Sequence, residues 1–174
     1  MPNREEDLRY VETGIQELKD YLLSDVLFWP LTAPLPRLTI GGLLLAQKRL
    51  QAQGAGLHLN TQLDAVRNKW RVAWEEKAVR EISARFNLWK NYLDDYRTEP
   101  QTRAESYAHE IRWRVLLVLL FAELPSVPVE AEGLSVLDTV LQGKFVSGKF
   151  IWDAAIKSGF PQDEFWFLYG IPKG

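Results

Sequence analysis

Apolar positions recur at helical spacing along most of this chain, most clearly in its middle. Between Gly56 and Pro100 lie 43 residues without a glycine or proline, in which polar and apolar residues alternate with a helical period. The pattern predicts one very long helix over about residues 61–97, or two nearly collinear ones. Its start is capped by Thr61, with Asp64 at the third helical position, or alternatively by Asn60. At about 1.5 Å per residue such a helix runs roughly 55 Å, more than a compact domain of this size needs, so it requires more than one neighbour.

Projected at about 100° per residue, its apolar positions split into two stripes. Leu63, Val66, Trp70 and Trp74 form one. Ile82, Phe86, Trp89, Leu93 and Tyr96 form another, centred about 120° further round. The buried face therefore changes near Glu75 to Glu81. The favoured reading is a straight helix that passes from one set of neighbours to another, in the extreme a second copy of the chain. The other is a break within Glu75-Glu76-Lys77-Ala78-Val79, where neither glycine nor proline is present to cause one.

Three further helices follow from the same spacing. The first runs from about Glu5 to Ser24, with Leu8, Val11, Ile15, Leu18 and Leu22 on one stripe and acidic residues in its first turn. Trp29-Pro30 and Pro34-Leu35-Pro36 then force an extended connection. Thr39 caps a second helix that buries Leu43, Leu44 and Leu50 and ends near Gly54 and Gly56. Gly41 and Gly42 in its first turn either permit a close helix crossing or mark a loosely wound start. The capping signature Thr102-Arg103-Ala104-Glu105 opens a fourth helix, antiparallel to the long one, that reaches about Glu123. It is apolar all round, with Ala104, Tyr107, Ala108, Ile111, Val115, Val118 and Ala122 on one side and Trp113, Leu116, Leu117 and Leu120 on the other. Its second face needs a cover, either the aromatic tail or another subunit.

Beyond Pro125 the pieces shorten to a helix from Ser135 to Gln142, a strand-like stretch from Phe145 to Trp152 that offers a small β-hairpin, and a last helical turn from about Pro161 to Tyr169. Eight of the 21 aromatic residues fall between Phe145 and Tyr169, which suits packing on the bundle as well as an interface. The expected fold is all-α: four main helices, one of them very long, with residues 1–124 as the bundle core and residues 125–174 as an aromatic lid of the same domain.

Composition narrows the function more than the fold. With 174 residues, 47% apolar and 25% charged, the chain resembles a globular domain able to bury one core. The lack of cysteine removes disulfides, thiolate ligands and cysteine catalysis, and suits a reducing compartment. The N-terminus is acidic and polar where a signal peptide would be basic and then apolar, so a cytoplasmic location is expected. The longest apolar run, Val115 to Ala122, falls well short of the roughly 20 residues that span a bilayer, so no membrane association is expected.

Several chemical motifs almost form. Gly143 to Phe150 spells GxxxxGK, but Phe150 stands where the magnesium-binding Ser or Thr belongs, and a strand-like stretch follows where a helix should. Ser147-Gly148 reads as a turn. Glu105, His109 and Arg112 share one helix face and could serve a small-molecule pocket at the bundle's end, roofed by Trp152 and Trp166, although a solvated ion pair is the plainer reading. The histidines are two, His58 and His109, and neither has a Glu three residues before it, against a metal site. No Gly-x-Ser-x-Gly or His-Glu-x-x-His sequence occurs, and the adjacent acids Glu75-Glu76 and Asp94-Asp95 diverge by about 100° on a helix. No catalytic residue, metal or cofactor is therefore assigned. Arg67, Lys69, Arg71, Arg80, Arg85, Arg112 and Arg114 could contact nucleic acid, but Glu75, Glu76 and Glu81 interrupt them and the net charge is −2.

The function expected from sequence is that of a non-enzymatic helical interaction or scaffold protein. It would self-associate as a homodimer through Trp113, Leu116, Leu120, Trp70 and Trp74, or bind an unidentified protein partner. The alternatives are a small-molecule-binding or enzymatic bundle with its pocket near Glu105, His109 and Arg112, and, less favoured, a nucleic-acid-associated protein.

Overall fold

The computed structural model describes residues 2–174 and shows an all-α architecture with one small antiparallel strand pair. Helix α1 spans Arg4–Leu23 and opens with a capping box: the Asn3 side chain accepts the Glu6 N–H at 2.9 Å, and the Glu6 carboxylate accepts the Asn3 N–H at 3.1 Å. Val11, Leu18 and Leu22 of the expected stripe are buried. Helix α2, Ile40–Ala52, starts where expected, with the Thr39 side chain accepting the Gly42 N–H at 2.9 Å.

The proline-rich connection between them is extended and pinned. Trp29 and Leu38 exchange two backbone hydrogen bonds, at 3.1 and 2.8 Å. Glu17 of α1 accepts from the Trp29 indole (3.1 Å), the Thr32 N–H (3.1 Å) and the Thr32 hydroxyl (2.8 Å).

The long central stretch is two helices, α3 (Leu57–Lys69) and α4 (Arg71–Thr98), interrupted at Trp70, whose φ of −114° and ψ of 39° are not helical. The Trp70 N–H still donates to the Val66 carbonyl at 3.0 Å, and the ladder resumes with Trp74 N–H to the Trp70 carbonyl at 2.9 Å. The segment from Glu75 to Glu81 is unbroken helix, and the interruption lies earlier, at Trp70. On its two sides α3 buries Leu59 and Leu63 beside α1 while α4 runs along α6. Both stripes enter one core. Gly56, at φ 71°, precedes α3 in place of a Thr61 or Asn60 cap, and Asn60 instead accepts from the Gln47 side-chain amide at 2.9 Å.

The expected fourth helix is α5 (Pro100–Glu110) and α6 (Arg112–Phe121), which pause only at Ile111. Pro100 occupies its first turn, where the missing N–H costs nothing, so the helix begins ahead of Thr102. Helix α6 packs between α2 and α4, which covers its second apolar face within the same chain. A Cβ placed on Gly41 would lie 3.2 Å from Leu116 Cδ2 and would collide with the Glu81 carboxylate, so the close-crossing role of Gly41 is the one the fold uses.

Helix α7, Glu130–Gln142, starts five residues before Ser135 and packs on α4. Strand β1, Phe145–Ser147, does not pair with residues 150–152. It pairs antiparallel with β2, Gly170–Pro172, in the register Phe145 to Pro172 and Val146 to Ile171. Between them the aromatic tail folds onto the bundle. Trp152, Phe160, Phe165 and Phe167 meet edge to face at 5.1 to 6.1 Å, and the Tyr107 hydroxyl donates to the Phe167 carbonyl at 2.6 Å. One contiguous apolar core contains residues of α1 through the tail. Among the described residues, no helix is long and apolar enough to cross a membrane.

Candidate functional site

A cleft of about 600 Å³ lies between α1, the 24–39 connection, α2, α4 and α6. Its organising group is Glu81, a fully buried carboxylate on α4. One oxygen accepts the Gly41 N–H at 2.9 Å and the other accepts Arg85 Nε, one turn further along α4, at 3.1 Å. A side chain at Gly41 would have to push this carboxylate out of its place.

Arg85 lines the cleft, and with Nε engaged its terminal amino groups have no hydrogen-bond partner among the described residues. Arg85 is only 8% exposed. Its guanidinium carbon sits 5.1 Å from the Phe28 ring centre and 5.0 Å from that of Trp113, so two aromatic faces steady the charge. Trp113 is held by donating its indole N–H to Glu110 at 2.9 Å, and it carries the Arg112 guanidinium over its ring at 4.0 Å. Burial lowers the pKa of Arg112; Glu110 opposes that shift and the nearby positive charge of Arg85 adds to it.

Arg37 reaches the rim from the connection, which Tyr10 fastens to α1 by donating its hydroxyl to the Arg37 carbonyl at 3.0 Å. Burial, above all, pushes the Tyr10 phenol above its ordinary pKa, so it remains a donor. Arg49 also lines the cleft, but a two-pronged ion pair with Asp7 occupies it. Phe28, Leu35, Leu45, Trp113 and Leu116 supply apolar wall. Such a cleft can take a carboxylate or phosphate by charge-assisted hydrogen bonds while covering an apolar body.

The residues nominated from sequence are only partly brought together. His109, Arg112 and Trp152 line a smaller cleft of about 340 Å³ beside Asp153, which adjoins the larger one through Leu45, Arg49 and Arg112. His109 is exposed at its rim against the Arg112 side chain, so no buried cavity is centred on it. Glu105 is exposed and lines neither cleft. Trp166 packs edge-on against Phe145 at 5.3 Å and Phe167 at 5.6 Å, away from both. His58 is exposed, 3.9 Å from Glu12.

The nominated interface residues are divided too. Trp74, Leu116 and Leu120 are buried in the chain's own core, while Trp70 and Trp113 are half-buried. Among the arginines considered for nucleic acid, Arg67 is tied to Asp64 and Glu123, Arg85 to Glu81 and Arg114 to Asp138. No group of three or more His, Asp or Glu side chains among the described residues is placed to hold a metal ion. No protein family, curated protein or solved structure matches the chain.

Sequence reasoning missed Phe28, Arg37 and Arg85 as cleft residues. A signal for Arg85 existed. Trp74, Ala78, Glu81, Arg85 and Trp89 recur every three or four residues, so Glu81 and Arg85 sit at core-facing positions of α4 rather than on a solvated face.

Proposed function

We propose that this chain is a non-enzymatic binding protein whose ligand is a small molecule with an anionic group and an apolar body, held in the cleft around Arg85. The observation that carries this reading is the uncommitted end of Arg85: the residue lines the cleft, is 8% exposed, is fixed by Glu81 and two aromatic rings, and has terminal amino groups without a hydrogen-bond partner among the described residues. Holding a cation this rigidly at a concave site costs desolvation that an anion would offset. Calorimetric titration with benzoate, phthalate and phenyl phosphate tests it, with benzamide as the neutral control. Saturable binding of an anion that Arg85→Met abolishes is the expected result. Failure of all three anions to bind, or binding unchanged in Arg85→Met, removes the reading.

A second reading, self-association, draws on a different surface from the one nominated from sequence. Val72 and Val79, one face of α4, lie beside Leu124 and Pro125, and Val127 and Val129 next along the chain are 82% and 91% exposed. An apolar patch of this kind suits contact with another copy or another protein. Static light scattering at low micromolar concentration would give a dimer mass under this reading, and Val72→Lys with Val79→Lys would return the monomer. A monomer in the unaltered chain would exclude it.

A further inference from the structure

Resting on the reading of the Arg85 cleft as an anion site, we infer that the group it takes is doubly negative: a phosphate monoester or a dicarboxylate, rather than a single carboxylate. The charges at the cleft do not balance. Five guanidinium groups line it, from Arg9, Arg37, Arg49, Arg85 and Arg112. Against them stand Glu6 and Asp7 on the cleft wall and Glu81 beneath Arg85. Asp7 is consumed by Arg49, and Glu81 is shared between Arg85 and the Gly41 N–H. Glu6, on α1, accepts the Asn3 N–H and makes no ion pair; three residues before Arg9, which has none either, it offsets the charge of Arg9 in the net balance alone.

That accounting leaves Arg37 and Arg112, neither of which has an ion-pair partner among the described residues. Glu110, near Arg112, accepts from the Trp113 indole and does not line the cleft. Two cations without an ion-pair partner, on separate elements, therefore line one concavity together with Arg85, in a chain whose overall charge is −2. Like charges gathered at a site with low-dielectric aromatic walls repel until a counter-charge arrives, and two positive charges are balanced by two negative ones.

The test compares singly and doubly charged probes on the full chain at about pH 8, where a phosphate monoester has lost its second proton. Phenyl phosphate and phthalate carry two charges and benzoate one, on the same ring. By calorimetry the better dianion binds at least about tenfold more tightly than benzoate, and the preference shrinks with added salt. Arg37→Gln, at an exposed loop position, and Arg112→Gln each lower dianion affinity more than benzoate affinity and reduce that preference to near unity. Which dianion binds better separates a phosphoryl ligand from a dicarboxylate. Equal affinity for benzoate, or a dianion preference that survives both variants, overturns the inference and leaves the anion site standing. No binding by any anion removes the site itself.

Discussion

Asp7 of α1 and Arg49 of α2 meet in a two-pronged ion pair, Nε to Oδ2 at 2.9 Å and Nη2 to Oδ1 at 2.7 Å, nearly out of reach of water. It joins the two helices at the wall of the cleft. Asp7→Ala leaves the Arg49 charge buried without a partner, and a loss of about 3–5 kcal/mol is expected. Replacing both, Asp7→Leu with Arg49→Met, restores most of that by packing. Urea denaturation of the three proteins checks the pattern, and a single variant that loses less than about 1 kcal/mol contradicts it.

Gly41 and Gly143 make a sharper contrast. Alanine at Gly41 would displace the Glu81 carboxylate from the position that orients Arg85, so a loss of about 1–3 kcal/mol and a weaker anion site are expected together. Gly143 has helical φ and ψ, and the nearest atom to an added Cβ is 3.5 Å away. Gly143→Ala should be neutral or slightly stabilising, by up to about 1 kcal/mol. Thermal melts of the two variants read this directly; a harmless Gly41→Ala would mean that Glu81 can move without consequence.

Much of this was legible in the chain and some was not, for identifiable reasons. The α1 stripe, the Thr39 cap and the tail packed on the bundle follow from spacing and local chemistry, which a sequence displays. The interruption at Trp70 has no glycine or proline to announce it; it arises because α3 and α4 must deliver differently oriented stripes to one core, a tertiary demand. The pairing of Phe145 with Pro172 joins segments far apart in sequence, where a local hairpin was the natural expectation. The Arg85 cleft needed three distant pieces, Phe28, Arg85 and Trp113, that no linear motif connects.

Glu17 gives the connection a dependence on pH. Burial raises its pKa, but hydrogen bonds from the Thr32 N–H, the Trp29 indole and the Thr32 hydroxyl outweigh that and hold the folded carboxyl below its ordinary value. The folded state therefore binds the proton less readily than the unfolded one. The stability this confers is complete above the unfolded glutamate value of about 4.3 and is lost as pH falls through the lower folded value. Denaturation midpoints of the wild type and Glu17→Gln should converge as pH drops from about 6 to about 3. A constant gap across that range would exclude Glu17 as the source.

Lys77 extends the same logic to the other end of the connection. Its ammonium, on α4, donates to the Ser24 carbonyl at 2.7 Å and to the Val26 carbonyl, and lies 4.7 Å from the Tyr21 ring centre. It fixes the turn that leaves α1 just before Phe28, the residue that flanks Arg85. Lys77→Met keeps the bulk but strips two carbonyl groups of their donor, so a loss of about 1–3 kcal/mol is expected. Because the turn sets where Phe28 stands, the variant should also weaken binding of phenyl phosphate while leaving its charge preference intact, since Arg37 and Arg112 remain. Calorimetry on the variant separates the effects: weaker binding with an unchanged dianion-to-benzoate ratio supports positioning through the turn, whereas a collapsed ratio would place Lys77 among the charges that the anion itself senses.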